Sequence, residues 1–175
     1  MRTTLVFSLI GFAFFNATAN DKNLKQMGTQ ITGDFNGDRI DETAKLVKLH
    51  DNTLELPDFN ETWEIQFSNK KLSSLQIEAH EPQLIKEGDL LKKGRTLFSV
   101  VSQPPTGCSL DYWVYGLLDD KWSRLASEIV PGGCSLSNQK ISKLISVEGT
   151  SVYFYADPKS GNSGKKGGRK LLKLN

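Results

Sequence analysis

The groups best placed to do chemistry in this chain are concentrated in Gly33-Asp34-Phe35-Asn36-Gly37-Asp38-Arg39-Ile40-Asp41-Glu42. Counted from Asp34, oxygen-bearing side chains fall at positions 1, 3, 5, 8 and 9, and an apolar-rich run follows. Hard divalent cations take six to eight oxygen ligands at about 2.3–2.6 Å, a demand that closely spaced carboxylates, amides and carbonyls on a tight turn meet. The loop therefore predicts a bound calcium ion. The alternative is an ordinary turn without metal, in which Asp34, Asn36 and Asp38 make Asx-type hydrogen bonds. Four carboxylates within nine residues repel one another, and that repulsion favours the ion. Its expected role is to brace a β-connection. Catalysis by such an ion needs an open coordination position and a nearby acid or base, and the sequence shows neither.

An EF-hand loop carries Gly at position 6 and a bidentate Glu at position 12. Those places hold Arg39 and Lys45 here, so the loop is not an EF-hand. It is shorter, its last acid is Glu42, and a strand rather than a helix follows. In that form it resembles the calcium loop of the integrin-type FG-GAP repeat and related repeats in bacterial exported proteins. The resemblance covers about 15 residues. It implies that calcium is held by the side chains of Asp34, Asn36, Asp38 and Glu42 and by the carbonyl of Ile40. Asp41 is then an outward cap or a solvated charge. One position departs from the pattern: Arg39 stands where the family has Gly. It must adopt a left-handed conformation or send the loop along another path, and its charge lowers the expected affinity.

The elements around the loop read mainly as strands. Period-2 patterning marks Thr43 to Leu49, Trp63 to Phe67, Leu75 to Glu78, Tyr112 to Leu117 and Ser151 to Tyr155. Thr96 to Val101 reads as a buried strand, while Trp122 to Leu125 follows a turn at Asp119-Asp120-Lys121. Lys170 to Leu174 closes a C-terminal hairpin. A short helix or turn is expected near Leu24 to Met27, and another between Ser137 and Leu144. The connections are too short for helical crossovers, so the fold class is a small antiparallel β-domain, propeller-blade-like or sandwich-like, with little helix. Gly88-Asp89-Leu90 can be set over Gly33-Asp34-Phe35, which brings the strands from Thr43 and Phe98 into register. This is a degenerate repeat or a chance likeness of two turns. In the second copy Leu91, Lys93 and Leu97 replace ligand positions, so only the first copy is expected to bind metal.

The ends and the composition bound the setting. Arg2, the apolar run Leu5 to Phe15 and Ala17-Thr18-Ala19 have the order of a signal peptide over residues 1–19. Residues 20–175 are then a single mature β-domain, periplasmic or secreted, with no segment that inserts in a membrane. The formal net charge of +2 and the lack of a clustered basic face argue against nucleic acid. The dense basic run from Lys165 to Lys173 reads as a solvated loop and a lysine-protected edge strand. Cys108 and Cys134 are the two cysteines, and in an exported chain they are expected to pair as a structural disulfide.

No nucleophile elbow, zinc-protease or Cys-His signature occurs, and His50 and His80 read as turn or surface residues. Glu55, Asp58, Glu61 and Glu64 read as exposed strand-edge charges. Tyr112, Trp113, Tyr115 and Trp122 divide between core and cover, with a carbohydrate-stacking face as the alternative. The expected function is therefore non-enzymatic: binding a protein or glycan partner in the cell envelope, as an inhibitor, immunity or adhesion module. The rival is a small secreted glycan hydrolase that uses carboxylates.

Overall fold

The computed structural model describes residues 25–50, 61–155 and 169–174. The expected signal peptide, Glu55, Asp58 and most of the C-terminal basic run lie outside them.

Twelve strands are present among the described residues: Met27–Gly28 (β1), Gln30–Gly33 (β2), Glu42–His50 (β3), Glu61–Phe67 (β4), Leu75–Ala79 (β5), Gln83–Gly88 (β6), Leu97–Ser102 (β7), Ser109–Leu118 (β8), Lys121–Pro131 (β9), Ile145–Glu148 (β10), Ser151–Tyr155 (β11) and Arg169–Leu171 (β12). All pairings are antiparallel. They form three sheets, ordered β2-β3-β4-β5, β1-β6-β7-β8-β9 and β10-β11-β12. The protein is thus mainly β, with no closed barrel among the described residues. Met27–Gly28 is a strand against Leu84 and Ile85 rather than part of a helix. Between Ser137 and Leu144 the expected helix is a single turn, Asn138–Ile141 (α1).

The sheets stack in three layers, and β7 shows why. Each of its residues is buried, as befits the central strand of the middle sheet. Its side chains alternate between two cores. Phe98 and Val100 meet Ile31, Ala44, Leu46 and Ile65 of the first sheet. Leu97 and Val101 join Leu110, Tyr112 and Val114, which pack on Ile145, Val152 and Phe154 of the third sheet and on Ile141 of α1. Each large aliphatic or aromatic side chain so enclosed contributes about 1.5–3 kcal/mol relative to exposure. A strand covered on both faces reads as a continuous apolar run, which is how Thr96 to Val101 looks in the sequence.

Two hairpin ends fix the long β8–β9 ribbon. At the closed end Asp119 (φ 46°) and Asp120 (φ 59°) are both left-handed, the geometry of a two-residue turn whose twist matches the flanking strands. At the open end Ser109 pairs with Pro131, and Cys108 is bonded to Cys134 with Cα atoms 5.0 Å apart. The expected disulfide is present. Its sequence separation of 26 corresponds to roughly 3.5 kcal/mol of restricted unfolded-chain entropy. Reduction is expected to lower the melting temperature by about 7–14 °C, at 2–4 °C per kcal/mol for a chain of this size. Calorimetry with and without reductant checks this, and a change below 2 °C would show the bridge to be idle.

Candidate functional site

The acidic loop is the link between β2 and β3, closed where Gly33 pairs with Glu42. Its second residue anchors it. Phe35 is fully buried and meets the rings of Phe67, Phe98 and Trp122 edge-on, at centroid distances of 5.6, 5.9 and 6.4 Å. The backbone on either side is then held against the middle sheet. Thr96 N donates to Asp34 O at 2.6 Å, and a Cβ on Gly33 would lie 2.8 Å from Thr96 Cγ2. Only glycine lets the two chains approach this closely at that point.

With the loop pinned, its polar atoms turn on one another. Asp34 accepts from Gly37 N through Oδ1 (2.7 Å) and from Arg39 N through Oδ2 (2.8 Å). Asn36 Oδ1 accepts from Asp38 N, and its amide donates to Asp38 Oδ2, both at 2.8 Å. Asp38 Oδ1 accepts from Ile40 N at 2.8 Å. These are Asx-type bonds, and they gather Asp34, Asn36 and Asp38 into one exposed knot. Arg39 takes the left-handed path, with φ 69°, so the departure at that position leaves the bend intact. The Ile40 side chain is 68% exposed, and Asp41 is exposed as expected. Glu42 behaves differently. It is buried, and its oxygens accept from Phe35 N at 3.0 Å and Asn69 Nδ2 at 3.2 Å.

Three of the four side-chain oxygen donors thus share the knot, while Glu42 is turned inward beneath it. Among the described residues no three His, Cys, Asp or Glu side chains converge as a metal-holding group. The donor chemistry still suits a hard cation. A carboxylate offers about four lone-pair sites, and Asp34, Asp38 and Glu42 each use two in printed bonds. Asp34 and Asp38 also have no ion-pair partner among the described residues.

The second Gly-Asp turn occupies the same place in the second sheet. Gly88 pairs with Leu97, the same spacing as Gly33 with Glu42. Asp89 accepts from Lys93 N at 2.9 Å and Gly94 N at 2.8 Å, as Asp34 does from Gly37 and Arg39. A leucine stands where the first loop has its inward glutamate.

Two buried acids were not legible as such. Glu61, read as an exposed edge charge, is 5% exposed. It accepts from Lys48 Nζ at 2.6 Å, Trp63 Nε1 at 3.0 Å and Glu81 N at 3.4 Å. Burial alone would raise its pKa, but these donors and the lysine charge outweigh it and hold the carboxyl below its usual range. Glu87 lies in the second core with its side chain fully enclosed. Lys25 Nζ, Ser99 Oγ and Tyr112 OH all donate to it. The donors Lys48 and Glu81 reach Glu61 from the neighbouring strand and the β5–β6 turn, and Lys25 reaches Glu87 from the N-terminal segment, none of which local patterning contains.

Nor do the four aromatics make one stacking face. Tyr112 is in the second core and Tyr115 in the first. Trp122 stacks on Phe67 at 4.5 Å and donates to Ser73 O. Trp113 lies under Arg124, whose guanidinium is 5.6 Å from the ring centroid. Asp111, two residues before Trp113, has its carboxyl pushed up by partial burial. His80 occupies the β5–β6 turn, where its backbone exchanges two hydrogen bonds with Ser102 Oγ and its Nδ1 is buried without a partner. No family model, curated protein or solved structure matches the chain.

Proposed function

We propose that the chain is an exported, calcium-braced binding domain that acts on a macromolecular partner in the cell envelope without catalysing a reaction. The observation that carries the metal reading is the knot formed by Asp34, Asn36 and Asp38. It places two carboxylates without cationic partners on a bend that Arg39 completes in the left-handed region. The side chains of Asp34, Asn36, Asp38 and Glu42 and the carbonyl of Ile40 would hold the ion. When bound, calcium neutralises the clustered charge. The chain's own part is to fix the loop from below, through Phe35 in the core and Asp34 O on Thr96 N.

The non-enzymatic part of the reading draws on the buried acids. Glu61 and Glu87 are each enclosed by donors and paired with a lysine, an arrangement suited to fastening strands rather than to proton transfer. Inhibitor, immunity and adhesion roles all fit a small domain of this kind.

Chelation is the direct test. Calcium at 100 times its Kd adds about 2.7 kcal/mol to stability, so EDTA is expected to lower the melting temperature by roughly 5–10 °C. The Asp34→Ala/Asp38→Ala double variant should lose that response. An EDTA-insensitive wild-type protein would end the metal reading. For the partner, affinity capture from cell-envelope extract should return one saturable component, and turnover of a glycan lost on a single Asp or Glu change would overturn the binding role.

A further inference from the structure

The second Gly-Asp loop keeps the fold of the first and reverses its charge. Its residues run Leu90-Leu91-Lys92-Lys93-Gly94-Arg95, and Asp89 ties the backbone at Lys93 and Gly94. Lys92 is left-handed at φ 55°. In this register Lys93 stands where the first loop has Asp38, and Lys92 and Arg95 flank it, so the loop presents cations on a backbone that is already set.

A cleft of about 290 Å³ opens beside it. Its aliphatic wall is Leu91, Leu97, Leu117 and Leu118, while Lys93 and Arg95 supply positive charge and Asp119 one negative group. Arg95 is oriented in advance, since its Nη1 donates to Leu117 O at 3.0 Å. Neither Arg95 nor Lys93 has a carboxylate partner among the described residues. On the far side of Leu91 a shallower hollow of about 470 Å³ continues the aliphatic surface over Val152, Leu171 and Leu174, with Lys92 beside it.

We infer that this cleft binds a single-chain anionic amphiphile, with a carboxylate or phosphate head on Arg95 and Lys93 and an alkyl chain along the leucines. The sign of the head follows from two unpaired cations against one acid. The alkyl body follows from the four leucines. The cleft lies at the lower end of the size range of small-molecule sites. An extended peptide suits it less. Leu117 and Leu118 are already paired with Trp122 and Lys121, and Arg95 takes the Leu117 carbonyl, so no free row of backbone groups faces the cleft. The inference does not depend on calcium at the first loop.

Isothermal titration of the protein in EDTA tests it, with decanoate, decyl phosphate and decanol as probes below their micellar concentrations. Both anions are expected to bind one per chain, and decanol at least tenfold more weakly. Lys93→Met should weaken the anions about tenfold and leave decanol unchanged, and Arg95→Met should weaken them more. Lys93 is the safer variant, because the hydrogen bond it makes in the loop uses only its backbone. Tighter decanoate would assign a carboxylate head, and tighter decyl phosphate a phosphate head. Decanol binding as tightly as decanoate, no saturable binding of either anion, or unchanged affinity in Lys93→Met would each overturn the site.

Discussion

Replacing Phe35 with alanine is expected to cost about 3–5 kcal/mol, the range for removing a fully buried aromatic from a core. Few single changes in this chain should cost more. Phe35 reaches from an otherwise polar loop into the first core, where it meets three rings from three different strands. Removing it leaves a cavity bounded by Phe67, Phe98 and Trp122, and Phe67 and Trp122 are already stacked and have little freedom to fill it. At 2–4 °C per kcal/mol the melting temperature should fall by roughly 6–20 °C. The loop should also loosen selectively. Amide exchange of Gly37, Arg39 and Ile40, whose N–H groups are held only by Asp34 and Asp38, should accelerate more than that of β7. A loss below about 1 kcal/mol would mean that the loop is not fastened through this residue and that no cation site is pre-set there.

The contrast between Phe35 and Glu87 shows which features local sequence can carry. The acidic loop was legible because its chemistry is contiguous: oxygen donors, a left-handed position and a following strand lie within one short stretch. The strands with one covered face were legible for the same reason, and β3, β4 and β5 were identified with only small errors at their ends. β6 was missed because Leu84 and Ile85 serve opposite cores, so Gln83 to Gly88 has no clean alternation. The extension of β9 to Pro131 escaped notice for another reason. It is an edge strand whose outer half exposes the apolar Ile129 and half-buries Glu128, and its register is set by the β8 ladder rather than by its own pattern. Glu61 and Glu87 look like ordinary strand acids because their partners are distant in sequence. Lys25 lies 62 residues from Glu87. Three-layer stacking, which decides whether such an acid is wet or enclosed, is not a local property.

Lys25→Met should therefore destabilise the fold by about 3–5 kcal/mol, since removing one partner leaves a buried charge uncompensated. Lys25 Nζ bonds Glu87 and also donates to Ile145 O at 3.0 Å, joining the N-terminal segment, the middle sheet and the third sheet at one point. Adjacent backbone bonds from Lys86 N to Gln26 O and the β1–β6 pairing depend on the same segment lying flat. Glu87→Gln should cost less, because an amide oxygen can still accept from Ser99 Oγ and Tyr112 OH without carrying a charge. Combining Lys25→Met with Glu87→Gln should then cost clearly less than the sum of the two, and simple additivity would show that the pair does not act as a unit. The cluster also sets an alkaline limit. Burial, then the charge of Glu87 beside it, pushes the Tyr112 hydroxyl well above its ordinary value near 10. The native state keeps that proton while the unfolded chain releases it, so this stabilisation is complete below about pH 10 and is lost as pH rises further. Tyr115, raised chiefly by burial, acts in the same direction. Denaturant midpoints measured from pH 8 to 11.5 should fall steeply above 10 in the wild type. In Tyr112→Phe the same series should fall less, and an unchanged slope would remove Tyr112 as the source of the alkaline transition.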